Sequence, residues 1–149
     1  MLLIQNLALH RSKKIIFENV NISLSTGKII ILKGKNGSGK TSLIKTILNL
    51  FEPSAGSIYW KGKPLDKNFF NFYSNLTYIA DKTSSIKQIS VYENIKIWKK
   101  MFLSNISNSE IEGILTILNI KNFLSSKIFT LSFGEVKKLE LLRLIIEGK

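Results

Sequence analysis

The stretch Gly34-Lys35-Asn36-Gly37-Ser38-Gly39-Lys40-Thr41 decides the fold of this chain. It matches the pattern G-x-x-x-x-G-K-[ST] and has the neighbours that this pattern needs. Four aliphatic residues at 29–32 precede it and predict a strand buried on both faces. Residues 41–50 follow it with apolar side chains at helical spacing. Strand, glycine loop and helix together predict a phosphate-binding loop.

Polyphosphate is a dense anion, and each part of the loop serves its binding. Gly34, Gly37 and Gly39 allow tight turns that bring backbone N–H groups close to phosphate oxygens. The helix start adds free N–H groups and the positive end of its dipole. The alternative is a glycine-rich turn that only begins a helix, and the strand-loop-helix context disfavours it. Lys40 is expected at the β- and γ-phosphates of a nucleoside triphosphate, and Thr41 is expected to hold Mg²⁺. The candidate nucleotide-binding residues are Gly34, Lys35, Asn36, Gly37, Ser38, Gly39, Lys40, Thr41 and Ser42.

The composition is that of a globular domain without disulfides. The 149 residues are 44% hydrophobic, have a mean hydropathy of +0.11 and contain no cysteine. No apolar stretch approaches the roughly 18 residues that span a bilayer. The N-terminus lacks the charged region of a secretion signal. These features predict one domain in a cytosolic setting.

The formal charge of +12 is large and comes almost entirely from lysine. One interpretation is an anionic partner such as nucleic acid, phosphate or a membrane surface. The other is a lysine-rich composition spread over a solvated surface. The lysines are scattered in single positions and short pairs, without a dense basic block. The second interpretation is favoured, and no nucleic-acid partner is expected.

The rest of the chain predicts a sheet followed by a helical block. Residues 2–9 and 17–25 predict an antiparallel hairpin with a polar turn at 10–14. Residues 57–60 and 76–80 predict two further short strands. The second half carries three Ser-x-x-Glu capping boxes at predicted helix starts, namely Ser90 with Glu93, Ser107 with Glu110 and Ser132 with Glu135.

The third helix start carries a family resemblance. Residues 131–135 read Leu-Ser-Phe-Gly-Glu and resemble the L-S-G-G-Q signature of ABC-type ATPases. Residues 91–95 resemble the Glu-Asn-Leu segment of that family, and residues 53–58 resemble its Pro-x-x-Gly-x-Ile turn. Within the family, residues 60–65 and 76–98 look most like the ATP-binding subunit of the cytochrome c biogenesis (haem exporter) transporter. The resemblance to ABC-type ATPases covers the whole chain.

The resemblance implies an α/β fold of the P-loop NTPase class, ABC ATPase type. It implies an N-terminal antiparallel β hairpin and an inserted helical subdomain, with further C-terminal strands beyond Lys149. Residues 1–149 then form one incomplete ATP-binding domain. A β-rich P-loop part covers 1–84, and a helical subdomain with the signature covers 85–149.

The resemblance also implies partners. Such domains form head-to-tail dimers that hold ATP between the P-loop of one subunit and the signature of the other. Ser132 and the Gly134 N–H would then contact the γ-phosphate. The alternative is that Ser132 only caps its own helix, and both roles are compatible. The other implied partners are the transmembrane subunits of a transporter, and this chain would then be a peripheral protein at the cytoplasmic face of the inner membrane.

Several positions depart from the family pattern. Phe133 replaces a small residue in the signature, and Leu9 with His10 occupies the region of the adenine-stacking aromatic residue. Asp81 and Lys82 stand where the family has a glutamine after a strand. The histidine is expected to be solvated rather than stacked, and the aspartate is expected to be an exposed loop residue rather than a cation ligand.

The family's Mg²⁺-binding aspartate, catalytic glutamate and switch histidine all follow the signature helix, and no residue here takes their place. No catalytic residue is therefore assigned. The first hypothesis is the energising subunit of an ABC transporter, most like a haem exporter. The alternative is a truncated chain that binds nucleotide without turnover. A third hypothesis, a basic nucleic-acid-binding module, rests on net charge alone, and a steep salt dependence would identify it.

Overall fold

A computed structural model describes residues 1–80 and 82–148 as two compact units. The first unit is Met1–Ser74 and the second is Asn75–Lys149. The predicted division of the domain at 84/85 stays a prediction, since these units are defined by compactness alone. Each unit has its own apolar core, as a compact folded unit requires. Each is described separately below.

The first unit is built on an antiparallel hairpin. Strands β1 (Leu2–Arg11) and β2 (Lys14–Leu24) pair from Leu2↔Leu24 to Arg11↔Lys14, so the connecting turn is shorter than predicted. Strand β3 (Ala55–Trp60) pairs with the other edge of β1, and the short β4 (Lys63–Pro64) pairs with β3. The sheet order is β2-β1-β3-β4.

Alternation along the strands places one face of this sheet on a core. The alternate residues Val20, Ile22 and Leu24 of β2 are half-buried, while the residues between them are exposed. Helix α1 (Lys40–Ile47) and the short helix α2 (Phe69–Ser74) belong to the same unit. The buried apolar residues of the unit are Ile4, Leu7, Ala8, Leu9, Leu43, Leu48, Ile58, Leu65 and Phe72.

The prediction of a strand at residues 29–32 is wrong, because the structure describes no strand there. No strand of the described sheet pairs with this segment, and Ile29 and Ile31 are 88% and 73% exposed. An extended segment becomes a strand only when a neighbour accepts its backbone hydrogen bonds. The strand predicted at 76–80 is also absent, and these residues form irregular, half-buried backbone. All strand pairs in the described sheet are antiparallel.

The second unit is a helical block whose starts follow the predicted capping boxes. Its helices are α3 (Val91–Met101), α4 (Asn108–Ile117) and α5 (Phe133–Glu147). At all three starts the serine side chain accepts from the N3 backbone N–H while the N3 glutamate accepts from the serine N–H. Hydrogen bonds from the backbone and side chain of Ser90 hold the pKa of Glu93 below its ordinary value.

The apolar faces of these helices form one core. The face predicted after Ser107 is confirmed, because Ile111 and Leu115 are buried and Ile114 and Leu118 pack against the same cluster. The buried cluster consists of Val91, Ile95, Trp98, Ile111, Leu115, Ile120, Ile128, Leu139, Leu142 and Ile146. Helix α5 thus supplies a core face from its middle to its end and leaves its N-terminal turn exposed.

Candidate phosphate-binding loop and signature segment

The glycines of the loop at 34–41 have backbone angles that favour glycine. Gly37 and Gly39 have φ of 82° and 87°, in the left-handed region. Gly39 also lies close to β2, because a Cβ there would be 3.1 Å from the carbonyl oxygen of Ile16. A Cβ on Gly34 would lie 2.7 Å from Ser38 Oγ. The loop therefore follows a tight path that larger residues would disturb.

Lys40 holds the two ends of this loop together. Its Nζ donates to the carbonyl oxygens of Gly34 at 2.8 Å and Lys35 at 2.7 Å. The Ser38 N–H donates to the Lys35 carbonyl at 3.2 Å, which closes a turn inside the loop. An ammonium group has three donors, so these two bonds leave it one more to offer. The positive charge is thus placed inside the loop before any anion arrives.

A cleft of about 290 Å³ opens beside the loop at the N-terminus of α1. The N-cap of α1 is Gly39, so no side chain caps the first turn, and no acidic residue lies in that turn. The first N–H groups of an uncapped helix are open to an anionic ligand. The cleft is lined by Ile16, Asn36, Gly37, Gly39, Lys40, Thr41 and Ser42.

Most of the predicted loop residues meet at this cleft. Gly34, Lys35 and Ser38 are not among its lining residues, and they shape the loop through the contacts above. Sequence reasoning missed Ile16, which contributes an apolar wall from β2. No signal near the glycine loop could have identified it, because the contact depends on how the hairpin packs.

The signature segment forms the start of α5 in the second unit. Ser132 is the N-cap; its N–H donates to Glu135 Oε2 at 2.7 Å, and its Oγ accepts from the Glu135 N–H at 3.3 Å. Ser132, Phe133 and Gly134 are all exposed, with 71% of Phe133 accessible. The Nζ of Lys137 lies 5.2 Å from the centre of the Phe133 ring. The capping role of Ser132 therefore coexists with an open helix end.

The departures from the family pattern have specific surroundings. His10 lies in β1, and its Nε2 is 2.7 Å from Glu18 Oε1 on β2. Its backbone N–H donates to Ser54 Oγ at 2.8 Å. The imidazole therefore has a carboxylate partner at the hairpin surface. Lys82 is exposed, whereas Asp81, the other departure in this loop, lies outside the described residues.

Residues 1–80 and 82–148 contain no group of three or more His, Cys, Asp or Glu side chains that could hold a metal ion. None of the described helices is both long and apolar enough to cross a membrane. At the cleft beside the glycine loop, the side-chain oxygens belong to Asn36, Thr41 and Ser42, and a bound phosphate would add its own.

The loop, the uncapped helix and the separate helical unit define an α/β P-loop domain of the ABC ATPase fold. The family model described as ABC transporter matches residues 17–149. The chain belongs to the ABC transporter family, as its ATP-binding component. This confirms the fold class and the family that the signature resemblance predicted.

Curated relatives agree with this assignment. A Reclinomonas americana protein named Cytochrome c biogenesis ATP-binding export protein CcmA is 36% identical over 156 residues, with 98% of this chain and 68% of the relative covered. A protein of the same name from Vibrio vulnificus is 28% identical, with 97% and 70% covered. ABC transporter I family member 1 of Arabidopsis thaliana is 30% identical, with 97% and 62% covered.

Solved structures agree on the fold alone, because their sequence identities are low. A Pyrococcus furiosus protein described as an ABC transporter ATP-binding protein superposes with a TM-score of 0.81 at 24% identity, covering 97% of this chain and 70% of that one. The Clostridium perfringens protein cbiO1, described as part of the ABC transporter complex cbiONQ, gives a TM-score of 0.71 at 20% identity, with 98% and 61% covered.

Proposed function

We propose that this chain binds Mg·ATP at the cleft beside the glycine loop. The observation that carries the proposal is the Lys40 ammonium, held inside the loop by two backbone carbonyls at the open N-terminus of α1. A polyphosphate at this position meets a fixed positive charge, uncapped N–H groups and the dipole of the helix. The side chain of Ile16 gives the cleft one apolar wall.

Thr41 would supply the protein ligand of Mg²⁺. Thr41 is exposed at the first turn of α1 and lines the cleft. Its hydroxyl oxygen is a suitable ligand for Mg²⁺, a hard cation that usually keeps several water ligands. When bound, the ion neutralises charge on the β- and γ-phosphates. Ser42 lies beside Thr41 at the cleft and adds a second polar side chain to the first helical turn.

We further propose that ATP joins two copies of the domain. Ser132 and the Gly134 N–H of one copy would contact the γ-phosphate held by the P-loop of the other. The support is the exposed N-terminal turn of α5, whose N–H groups point out of the core. Glu135 already satisfies the Ser132 N–H, so the Gly134 N–H and the serine hydroxyl proton are the donors that can be offered.

The relatives support a role in transport. Those named CcmA are export proteins of cytochrome c biogenesis, which supports haem export by a complex with transmembrane subunits at the cytoplasmic face of the inner membrane. The alternative is a chain that binds nucleotide without turnover. Hydrolysis needs Mg²⁺ held from two sides and a group that orients water, and Thr41 supplies only one of these ligands. A steady-state ATPase assay on the monodisperse chain, with Lys40→Ala as background, separates the two.

Titration calorimetry with ATP and with adenosine tests the nucleotide site. Lys40→Ala should weaken ATP by at least about tenfold, since it removes a charge-assisted partner, and should change adenosine little. Lys13→Ala is the matched control, because it removes one exposed lysine in the hairpin turn and changes the net charge equally. Equal losses for both ligands, or equal effects of both variants on ATP, would refute the assignment of Lys40 to the phosphates.

A further inference from the structure

One buried carboxylate in the second unit is not among the residues proposed to contact nucleotide. Glu140 lies in the middle of α5 with only 2% of its surface exposed, beside the core residues Leu139 and Leu142. Acidic side chains are almost never buried unless they are paired. Removing a carboxylate from water is costly, so the neighbouring donors must hold it there.

The donors come from one short segment that precedes α3. Glu140 accepts from Thr83 Oγ1 at 2.6 Å, from Ser84 N at 2.8 Å, from Ser84 Oγ at 2.9 and 3.1 Å, and from Ser85 Oγ at 3.2 Å. Burial by itself raises the pKa of Glu140, but the hydrogen bonds from Thr83 and Ser84 and the Arg143 charge outweigh it and lower that pKa. The group is therefore an ionised acceptor that gathers three consecutive side chains.

Two cationic side chains on the same face of α5 bind the backbone just before residues 83–85. Lys137 Nζ donates to the Ala80 carbonyl at 2.5 Å, and Arg143 Nη2 donates to the Tyr78 carbonyl at 3.0 Å. Arg143 Nε also lies 3.3 Å from Glu140 Oε2. Residues three apart lie on one face of a helix, so Lys137, Glu140 and Arg143 form a continuous row. We call this row, together with Tyr78, Ala80 and residues 83–85 that it contacts, the α5 clamp.

We propose that Glu140 is a positioning residue that fixes residues 83–85 on α5, so that the segment and the helix move as one body. The inference rests on the proposed function in one respect, namely that the N-terminus of α5 meets nucleotide. Lys82 and Lys87 flank the held residues and are exposed. A displacement of the N-terminal turn of α5 would therefore displace residues 83–85 with it, through their bonds to Glu140.

The α5 clamp requires a carboxylate at position 140, because the groups around that position are hydrogen-bond donors. Four donors converge on one carboxylate, whose two oxygens offer about four acceptor sites. Glutamine has nearly the same shape but offers one acceptor oxygen and an NH₂ group that would face donors. Glu140→Gln therefore removes the match without creating a cavity. Glu112→Gln is the matched control, because Glu112 is exposed in the same unit and pairs with Lys121 at 3.0 Å.

Hydrogen exchange gives the first readout, made without nucleotide so that it is independent of the proposed ATP site. Glu140→Gln should speed exchange of the Ser84 amide by roughly tenfold or more, because that amide donates to the carboxylate. Core amides of α3 and α5 should keep their rates. Unchanged exchange at Ser84, or an equal rise across the whole unit, would overturn the positioning role.

A distance measurement gives the second readout. The native chain has no cysteine, so Lys82→Cys and Leu141→Cys carry a unique pair of spin labels at exposed positions, one of them directly beside Thr83. The distance distribution should be narrow in the parent and with Glu112→Gln, and broad with Glu140→Gln. Thr83→Val removes one donor and keeps the carboxylate, so it should broaden the distribution less. It is the variant to measure if Glu140→Gln does not fold. A distribution that stays narrow in the folded variants would refute the clamp.

Discussion

Gly56 should be among the least replaceable residues of the first unit, for a reason that its place in the Pro-x-x-Gly-x-Ile turn does not explain. It lies in β3 with φ of 89°. A Cβ built on it would be 2.4 Å from the Asn6 carbonyl oxygen and 2.6 Å from that of Gln5. The β1–β3 register shifts here, between Gln5 and Ala8, so the backbones approach closely at a bulge.

The size of the effect follows from two additive costs. A non-glycine residue at this φ costs about 1–3 kcal/mol. The overlap with Asn6 adds to this cost, because the obstacle is backbone rather than a flexible side chain. Asn6 cannot retreat freely, since its N–H donates to Asn21 Oδ1 at 2.9 Å on β2. We expect Gly56→Ala to lower the free energy of unfolding by about 2–4 kcal/mol, which is in the upper range for single substitutions.

Gly62→Ala separates the two costs, because Gly62 has φ of 80° but nothing lies within 4 Å of its Cβ position. It should lose only the conformational part, about 1 kcal/mol. Urea unfolding followed by Trp60 fluorescence, in a shared Trp98→Phe background, reports on this unit because Trp60 ends β3. If Gly56→Ala were no more destabilising than Gly62→Ala, the close approach to Asn6 would not be real.

Three further outcomes are expected. Gly39→Ala should weaken ATP binding by roughly tenfold in calorimetry, because its Cβ would lie 3.1 Å from the Ile16 carbonyl and shift the loop; unchanged affinity would contradict this. The folded pKa of Glu140 lies below its ordinary value of 4.5, so its stabilising effect is present above that pH and is lost as pH falls through the folded pKa. The free energy of unfolding should therefore fall less steeply with decreasing pH in Glu140→Gln than in the parent. Identical pH profiles would count against a stabilising role for the ionised Glu140. Ser132→Arg should abolish an ATP-driven dimer in light scattering and leave monomer ATP binding intact, whereas a persistent dimer would place the association elsewhere.

Local features were predictable from the sequence because their bonds join residues close in the chain. The glycine loop and its lysine lie within eight residues, and each capping box spans four. The predicted helix starts at Ser90, Ser107 and Ser132 are confirmed for this reason. Their reciprocal bonds need no distant partner, so neighbouring structure cannot easily override them.

Contacts between distant segments were not predictable in the same way. The wall at Ile16 and the donors of Glu140 are brought to their sites by packing of elements far apart in sequence. The sequence did contain one signal for the buried network around Glu140. Leu139, Leu142 and Ile146 mark a core-facing stripe of α5, and a carboxylate adjoining such a stripe indicates a buried polar network. The partner segment could not be identified from that pattern.

Two segments that were predicted to be strands, 29–32 and 76–80, do not pair with a strand of the described sheet. At 76–80 the carbonyls of Tyr78 and Ala80 accept from Arg143 and Lys137, so side chains of α5 take the place of a neighbouring strand. At 29–32 no described strand takes that place, yet the glycine loop that follows keeps its shape. It can do so because the bonds from Lys40 and the packing against Ile16 come from residues outside that segment. The geometry of the phosphate site is therefore set by the loop, α1 and β2.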